Sequence, residues 1–213
     1  MQDMSLSEAQ DVTYSLSKPS KMPGFGYSIP AIACMVGSLL REVEGSTCAG
    51  CYAMKGRYRW PTVEAALNKR LESLDDPRWV EAMVTQLSTE TVRATKYFRW
   101  HDSGDLKSFE HLVKIVEVAN ATPWMKHWLP TREYGIVKEY LERHGAIPDN
   151  LVIRLSAQMV DGPPPSWWPW TSGVQHKKPV RGYPCPAQHQ DNKCGECRAC
   201  WSRRIKHVDY HKH

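Results

Sequence analysis

The sequence carries seven cysteines, and six of them are spaced for chemistry. Cys194, Cys197 and Cys200 stand in a Cys-x-x-Cys-x-x-Cys register. That register lets three sulfurs point into one small volume. Each thiolate carries a charge that must be neutralised, so a metal or metal cluster makes the crowding favourable. Cys185 precedes the triple and is followed by Pro186, while Cys48 and Cys51 form a pair far upstream. A structural zinc takes four sulfurs, usually from two separated Cys-x-x-Cys pairs. A four-iron cluster takes the tighter triple repeat, with a remaining cysteine beside a proline. In bacterial ferredoxins that cysteine follows the triple; here it precedes it. The register favours a [4Fe–4S] cluster, with Zn as the alternative, because both accept all-thiolate sites. Cys48, Cys51, Cys185, Cys194, Cys197 and Cys200 are thus candidates for four ligand positions. Cys34 stands apart and reads as an unligated core cysteine.

A second constellation is polar. It comprises His101-Asp102-Ser103-Gly104-Asp105, then Thr131-Arg132-Glu133, then Arg154-Leu155-Ser156. Neighbours in a strand point to opposite faces, so His101, Asp102 and Ser103 cannot simply form a triad. Gly-x-Ser-x-Gly, a Walker loop and the dinucleotide glycine fingerprint are absent. The radical-initiating spacing Cys-x-x-x-Cys-x-x-Cys is absent too; a partial parallel barrel with a cluster would otherwise suggest that chemistry. Local structural roles are available for Asp102 as a turn former and Asp105 as a helix cap. As a site, His101 and Asp102 would act as acid and base, and Arg132 would hold an anionic substrate or an oxyanion. Asp105 and Ser156 complete the candidate set.

The elements that must position these residues follow from periodicity. Residues 96–101 read as a strand, 108–121 as a helix, 126–131 as a strand, 134–143 as a helix closed by Gly145, and 151–156 as a third strand. Strand, helix, strand, helix, strand at this spacing implies a parallel sheet with right-handed crossovers. The ligand side of such a sheet is the carboxyl end of its strands, where the polar residues fall. Upstream, Thr62 can cap a helix running to about Leu74. Asp76-Pro77 reads as the start of the next, with Val80, Met83, Val84 and Leu87 inward. Residues 21–30 read as an extended segment pinned to the core. The expected architecture is a single α/β domain over 21–213, with a small, partial barrel-like βαβαβ sheet and cysteine-rich cluster loops. Residues 1–20 form a flexible arm in this reading.

Length and composition bound the rest. At 213 residues there is room for one domain with a real core. No apolar run is long enough to span a membrane, and the polar first twenty or so residues show no secretion signal. Intracellular cysteines should stay reduced or bind metal. The net charge of +5 permits nucleic-acid binding without demanding it. Trp167, Trp168 and Trp170 could stack on a base, though packing is the commoner fate. The basic, His-rich stretch from Arg203 to His213 could meet nucleic acid or bind metal adventitiously. Two function classes stay open. One is an esterase-like hydrolase acting on a small molecule, with an exchangeable cluster iron as a further Lewis acid. The other is a binding or electron-transfer module that meets nucleic acid or a protein partner.

Several motifs together resemble one family. Ser28-Ile29-Pro30-Ala31, Cys48-Ala49-Gly50-Cys51-Tyr52-Ala53, Lys55-Gly56-Arg57-Tyr58, His101-Asp102-Ser103-Gly104-Asp105, Pro130-Thr131-Arg132 and the terminal cysteines are similar to the bacteriophage gene product 88 family. The resemblance covers nearly all of the chain after Lys21. It implies a phage-encoded protein of the bacterial host cytoplasm with a cysteine-bound iron–sulfur cluster.

Overall fold

The structure, a computed structural model, describes residues 4–212. The first three residues of the expected arm and the last histidine lie outside the described residues.

The alternation read in the middle of the chain is present as expected. Tyr97–Trp100 forms β2, Lys126–Thr131 forms β3 and Leu151–Ser156 forms β4. Phe109–Ala121 (α6) and Tyr134–His144 (α7) are the crossovers between them. Ser108 caps α6 by accepting from the His111 amide at 3.1 Å. Gly145 closes α7 at φ 80°, a left-handed conformation that favours glycine. Phe25–Tyr27 (β1) pairs in parallel with β2, so the extended segment expected at 21–30 is an edge strand.

Downstream the sheet continues with Thr171–Gln175 (β5), Tyr183–Pro184 (β6) and His207–His211 (β7). The order is β1-β2-β3-β4-β5-β7-β6, with every pair parallel. The stretch read as a basic tail is therefore a strand inserted between two earlier ones. Val208 and Tyr210 alternate with His207, Asp209 and His211 and face one cluster, a period of two masked by the basic residues around it.

An all-parallel sheet must be covered on both faces. Val36–Arg41 (α2), Pro61–Glu72 (α3), Trp79–Ser88 (α4) and Glu90–Arg93 (α5) lie between β1 and β2. On one face α4, α6 and α7 bury Phe98, Trp100, Leu129, Ile153 and Leu155. The other face carries the short 3-10 turn Ala199–Trp201. There the cysteine-rich segment after β6 packs Ala199, Cys200 and Trp201 against Trp128 and Val208. Strand alternation in β2 makes this possible: Phe98 and Trp100 face the helices, Tyr97 the cysteine side.

Three expectations upstream are corrected. Residues 6–13 of the expected arm form a helix, α1 (Leu6–Thr13), with a capping box between Ser5 and Glu8. It packs Ala9 and Val12 on Ala82 of α4. The helix expected from Asp76-Pro77 begins at Trp79, because the Asp76 carboxylate accepts from the Arg78 amide at 2.8 Å and holds a turn. Similarly, α3 starts at Pro61 rather than after a Thr62 cap.

Candidate functional site

The cysteines fall into two groups. Cys185 follows β6, and its amide donates to the Asp209 carbonyl of β7 at 2.8 Å. The Cys194 amide donates to Lys21 O at 2.9 Å and the Cys197 amide to Cys194 O at 2.9 Å. The Cys197 thiol donates to the Tyr183 hydroxyl at 3.6 Å, and the Cys200 sulfur lies 3.2 Å from the Tyr210 hydroxyl. Burial raises the Cys194 thiol, and so do the neighbouring Cys185 and Cys197. Burial also pushes Cys200 up to about 12, with Cys185 adding to it. The four sulfurs thus share one neighbourhood. Bare thiolates are disfavoured there unless a cation discharges them.

Two arginines prepare this neighbourhood. Arg154 of β4 is fully buried. Its guanidinium donates to six carbonyls, those of Thr171, Ala199, Cys200, Ser202, Ile205 and Lys206, at 2.8 to 3.4 Å. It clamps the cysteine segment onto the sheet. Arg99 stacks over Trp128 at 4.5 Å, and its buried Nε has no hydrogen-bond partner. Cys200, Tyr210, Asp102 and Tyr52 all border its charge. The donor set suits an anionic four-thiolate group: four sulfurs, hydroxyls at two of them, and a cation without a full set of partners. Among the described residues, no three His, Cys, Asp or Glu side chains are gathered into a site for a single metal ion.

The other group, which comes first in the chain, corrects the reading of Cys34. A Cβ placed on Gly37 would stand 3.5 Å from the Cys34 sulfur and 3.8 Å from the Cys48 sulfur. Cys51 follows in the same turn, its amide donating to Cys48 O at 3.1 Å. Burial raises Cys34 to about 12, with Asp105, Cys51, Cys48 and Glu133 adding to the effect. Cys34 is therefore half-buried among the ligand candidates, not isolated from them.

The segment carrying this group, residues 28–60, is tied to the carboxyl ends of three strands. At the end of β2, Asp102 accepts from the Ser28 hydroxyl and, at 2.9 Å, from the Tyr58 hydroxyl. The Tyr52 hydroxyl donates to the Asp102 carbonyl. Lys107 Nζ donates to Ala33 O at 2.8 Å. At the end of β3, Glu133 accepts from the Val36 amide at 2.9 Å, and Arg132 Nε donates to Thr47 Oγ1 at 2.9 Å. Beyond β4, the Thr47 amide donates to Gln158 O at 2.8 Å. Gly104 lets the β2 turn approach: a Cβ there would sit 2.6 Å from Ile29 O, and φ is +77°.

The candidate acid and base are not paired. His101 is buried, sits at φ 54°, and neither ring nitrogen has a hydrogen-bond partner. Burial, then the nearby Arg99 charge, lowers it to about 3. Asp105 is buried and accepts from Leu106 N, Arg132 N and Thr131 Oγ1 at 2.5 to 2.9 Å. Arg132 and Ser156 do come together. With Ser172, Gly173 and Tyr210 they line a cavity of about 40 Å³. The Ser156 hydroxyl lies 3.1 Å from that of Ser172 and not against a histidine. A larger cavity of about 220 Å³, lined by Pro30, Ala53, Met54, Tyr58 and Leu67 among others, lies between the cysteine-bearing segment and α3.

Among the residues with expected contacts to nucleic acid, Arg203 is used internally. It pairs with Asp149 at 2.7 Å, donates to three carbonyls and stacks on Trp170. Trp168 and Trp170 each donate to a backbone carbonyl at 2.8 Å. Among the described residues no helix is long and apolar enough to cross a membrane.

No curated protein and no solved structure matches this chain. The sequence pattern of the family described as Gene product 88 matches residues 4–203, a span that contains both cysteine groups and the three strand ends between them. The chain belongs to the phage gene product 88 family.

Proposed function

We propose that this protein is an iron–sulfur protein in which Cys185, Cys194, Cys197 and Cys200 hold a [4Fe–4S] cluster, working in the reducing cytoplasm of the bacterial host. One observation carries the reading. Four thiols, three half-buried and that of Cys200 buried, share a neighbourhood with the under-partnered guanidinium of Arg99, on the face of the sheet opposite α4, α6 and α7. A cluster bound there would supply one-electron chemistry. The protein's own part is to hold and tune it. Arg154 fixes the backbone of the ligand segment. Tyr183 and Tyr210 place hydroxyls at two sulfurs, the kind of contact that sets a cluster's potential. Arg99 offsets the net negative charge.

Ester hydrolysis at the Arg132–Ser156 cavity is the second reading. It keeps a cation and a hydroxyl lining the same space, and it would have to work without a histidine at that hydroxyl.

The test is anaerobic purification followed by absorption spectroscopy and metal analysis. A brown protein with iron and acid-labile sulfide, losing iron in Cys197→Ala, is the expected result. A colourless protein with stoichiometric zinc would replace the cluster by the zinc alternative.

A further inference from the structure

The first cysteine group has a different ligand count from the second. Thirteen residues separate Cys34 from Cys48, and two separate Cys48 from Cys51. The fold closes the long gap. Residues 31–47 loop out through α2 and return, so that the Cys34 and Cys48 sulfurs border one point beside Gly37. Lys107, Glu133 and Arg132 hold this loop at Ala33, Val36 and Thr47, so the sheet, and not local spacing, brings Cys34 to the Cys48–Cys51 turn. No fourth cysteine remains for them, because the other four share the second neighbourhood.

We propose that Cys34, Cys48 and Cys51 form a second iron–sulfur site, a cluster held by three thiolates with one iron left for a small α-amino carboxylate ligand of the S-adenosylmethionine class. Four-thiolate sites are closed; three-thiolate sites keep a coordination position for an outside ligand, as three-ligand catalytic zinc sites do. The charges around the sulfurs select the ligand. Asp105 and Glu133 both border Cys34, so a ligand with several carboxylates would be repelled. A zwitterion meets them with its ammonium or sulfonium. Arg132 borders Cys48 and lines the cavity at the ends of β3, β4 and β5. With its Nε on Thr47, its remaining guanidinium nitrogens have no hydrogen bond within the described residues and suit a carboxylate. A sulfonium held at a reducible iron is an arrangement that supports radical chemistry. The site rests on this group's own geometry and stands or falls separately from the four-cysteine cluster.

The experiment is anaerobic reconstitution of the full chain with iron and sulfide, compared with the triple variant Cys34→Ala/Cys48→Ala/Cys51→Ala. Wild type should bind about eight irons and the variant about four, as two four-iron clusters require. The retained irons serve as the variant's folding control. In dithionite-reduced wild type, S-adenosylmethionine should shift the electron paramagnetic resonance signal, and the variant should lose that response. About four irons in both proteins would overturn the second site and leave the four-cysteine reading standing. About four in wild type and none in the variant would place the cluster on the first group and overturn the four-cysteine reading instead. An unshifted signal in wild type would overturn the ligand assignment, with no need of a variant that folds.

Discussion

The two cysteine groups are built on opposite principles. The second is held through its backbone: one buried arginine beneath it gathers six carbonyls, and the sulfurs follow from tight spacing. The first is held through side chains reaching up from strand ends, and its sulfurs meet across a long loop. A backbone clamp fixes a segment as one unit. A set of separate side-chain ties fixes it in parts that can loosen one at a time. The difference predicts unequal responses to mutation, and unequal responses are how it can be tested.

The largest effect should come from Arg154→Ala. Removing a buried cation from its carbonyls should cost about 3–5 kcal/mol, in the range for breaking a buried charged contact. The soluble fraction and the urea midpoint should both fall. Proteolysis should open residues 185–206 before residues 28–60. Cleavage of both segments at one rate would show that the two regions are not held independently. Arg154→Lys should fail similarly, since an ammonium cannot reproduce the fork.

Acid should act on the sheet that both regions share. His101 and His127 are each lowered to about 3 by burial, against about 6.5 in an unfolded chain. Their folded forms stay neutral while the unfolded chain takes up protons. The stability they protect is complete above about pH 6.5 and is lost as pH falls from there toward about 3. Each should cost about 1.4 kcal/mol per pH unit within that window, or roughly 3 kcal/mol for the pair at pH 5.5. Denaturant melts from pH 7 to 5 on protein handled without metal would check this. A flat profile would mean that the folded protein takes up protons at these imidazoles as readily as the unfolded chain does.

Asp102→Asn should be milder and local. It weakens the ties from Ser28 and Tyr58, at about 1–2 kcal/mol. Cleavage within residues 28–60 should speed up while residues 185–206 stay protected. Equal exposure of the two segments would erase the contrast between them.

The smallest effect on structure, and the sharpest on ligand, should be Arg132→Lys. Charge is kept and the planar fork is lost. Iron content should match wild type, while the affinity for S-adenosylmethionine, read from the resonance shift, falls about tenfold, or about 1.4 kcal/mol. Unchanged affinity would remove Arg132 from the ligand's contacts.

The legible parts of this chain were those with local causes. The strands around Phe98, Leu129 and Ile153 announce themselves by apolar runs between helical periods, and their polar ends mark the carboxyl edge. Cys194, Cys197 and Cys200 are legible because spacing alone can gather them. Cys34 was not, because the loop through α2 brings it to Cys48 and no short-range pattern records that return. Ser5 and Glu8 did carry a readable capping box for α1, obscured by the polarity of its neighbours. His101 looked chemical from its company in the sequence. Its neighbours in space are Arg99 and the T-shaped ring of His111, which a linear reading does not supply.

The place of β7 sets an order of events during synthesis. Thr171–Gln175 and Tyr183–Pro184 leave the ribosome first; the former has β4 to pair with, while the latter has no strand partner until His207–His211 slots between them. The amide of Cys185 is held by Asp209 of that late strand. The first cysteine group lies far upstream and meets strand ends that emerge well before this closure. Nascent chains therefore pass through an interval in which residues 28–60 have their anchors while residues 185–200 are still exposed as free thiols. Scavenging metals or oxidants reach the second group most easily in that interval, and slow translation near the 3′ end of the message lengthens it.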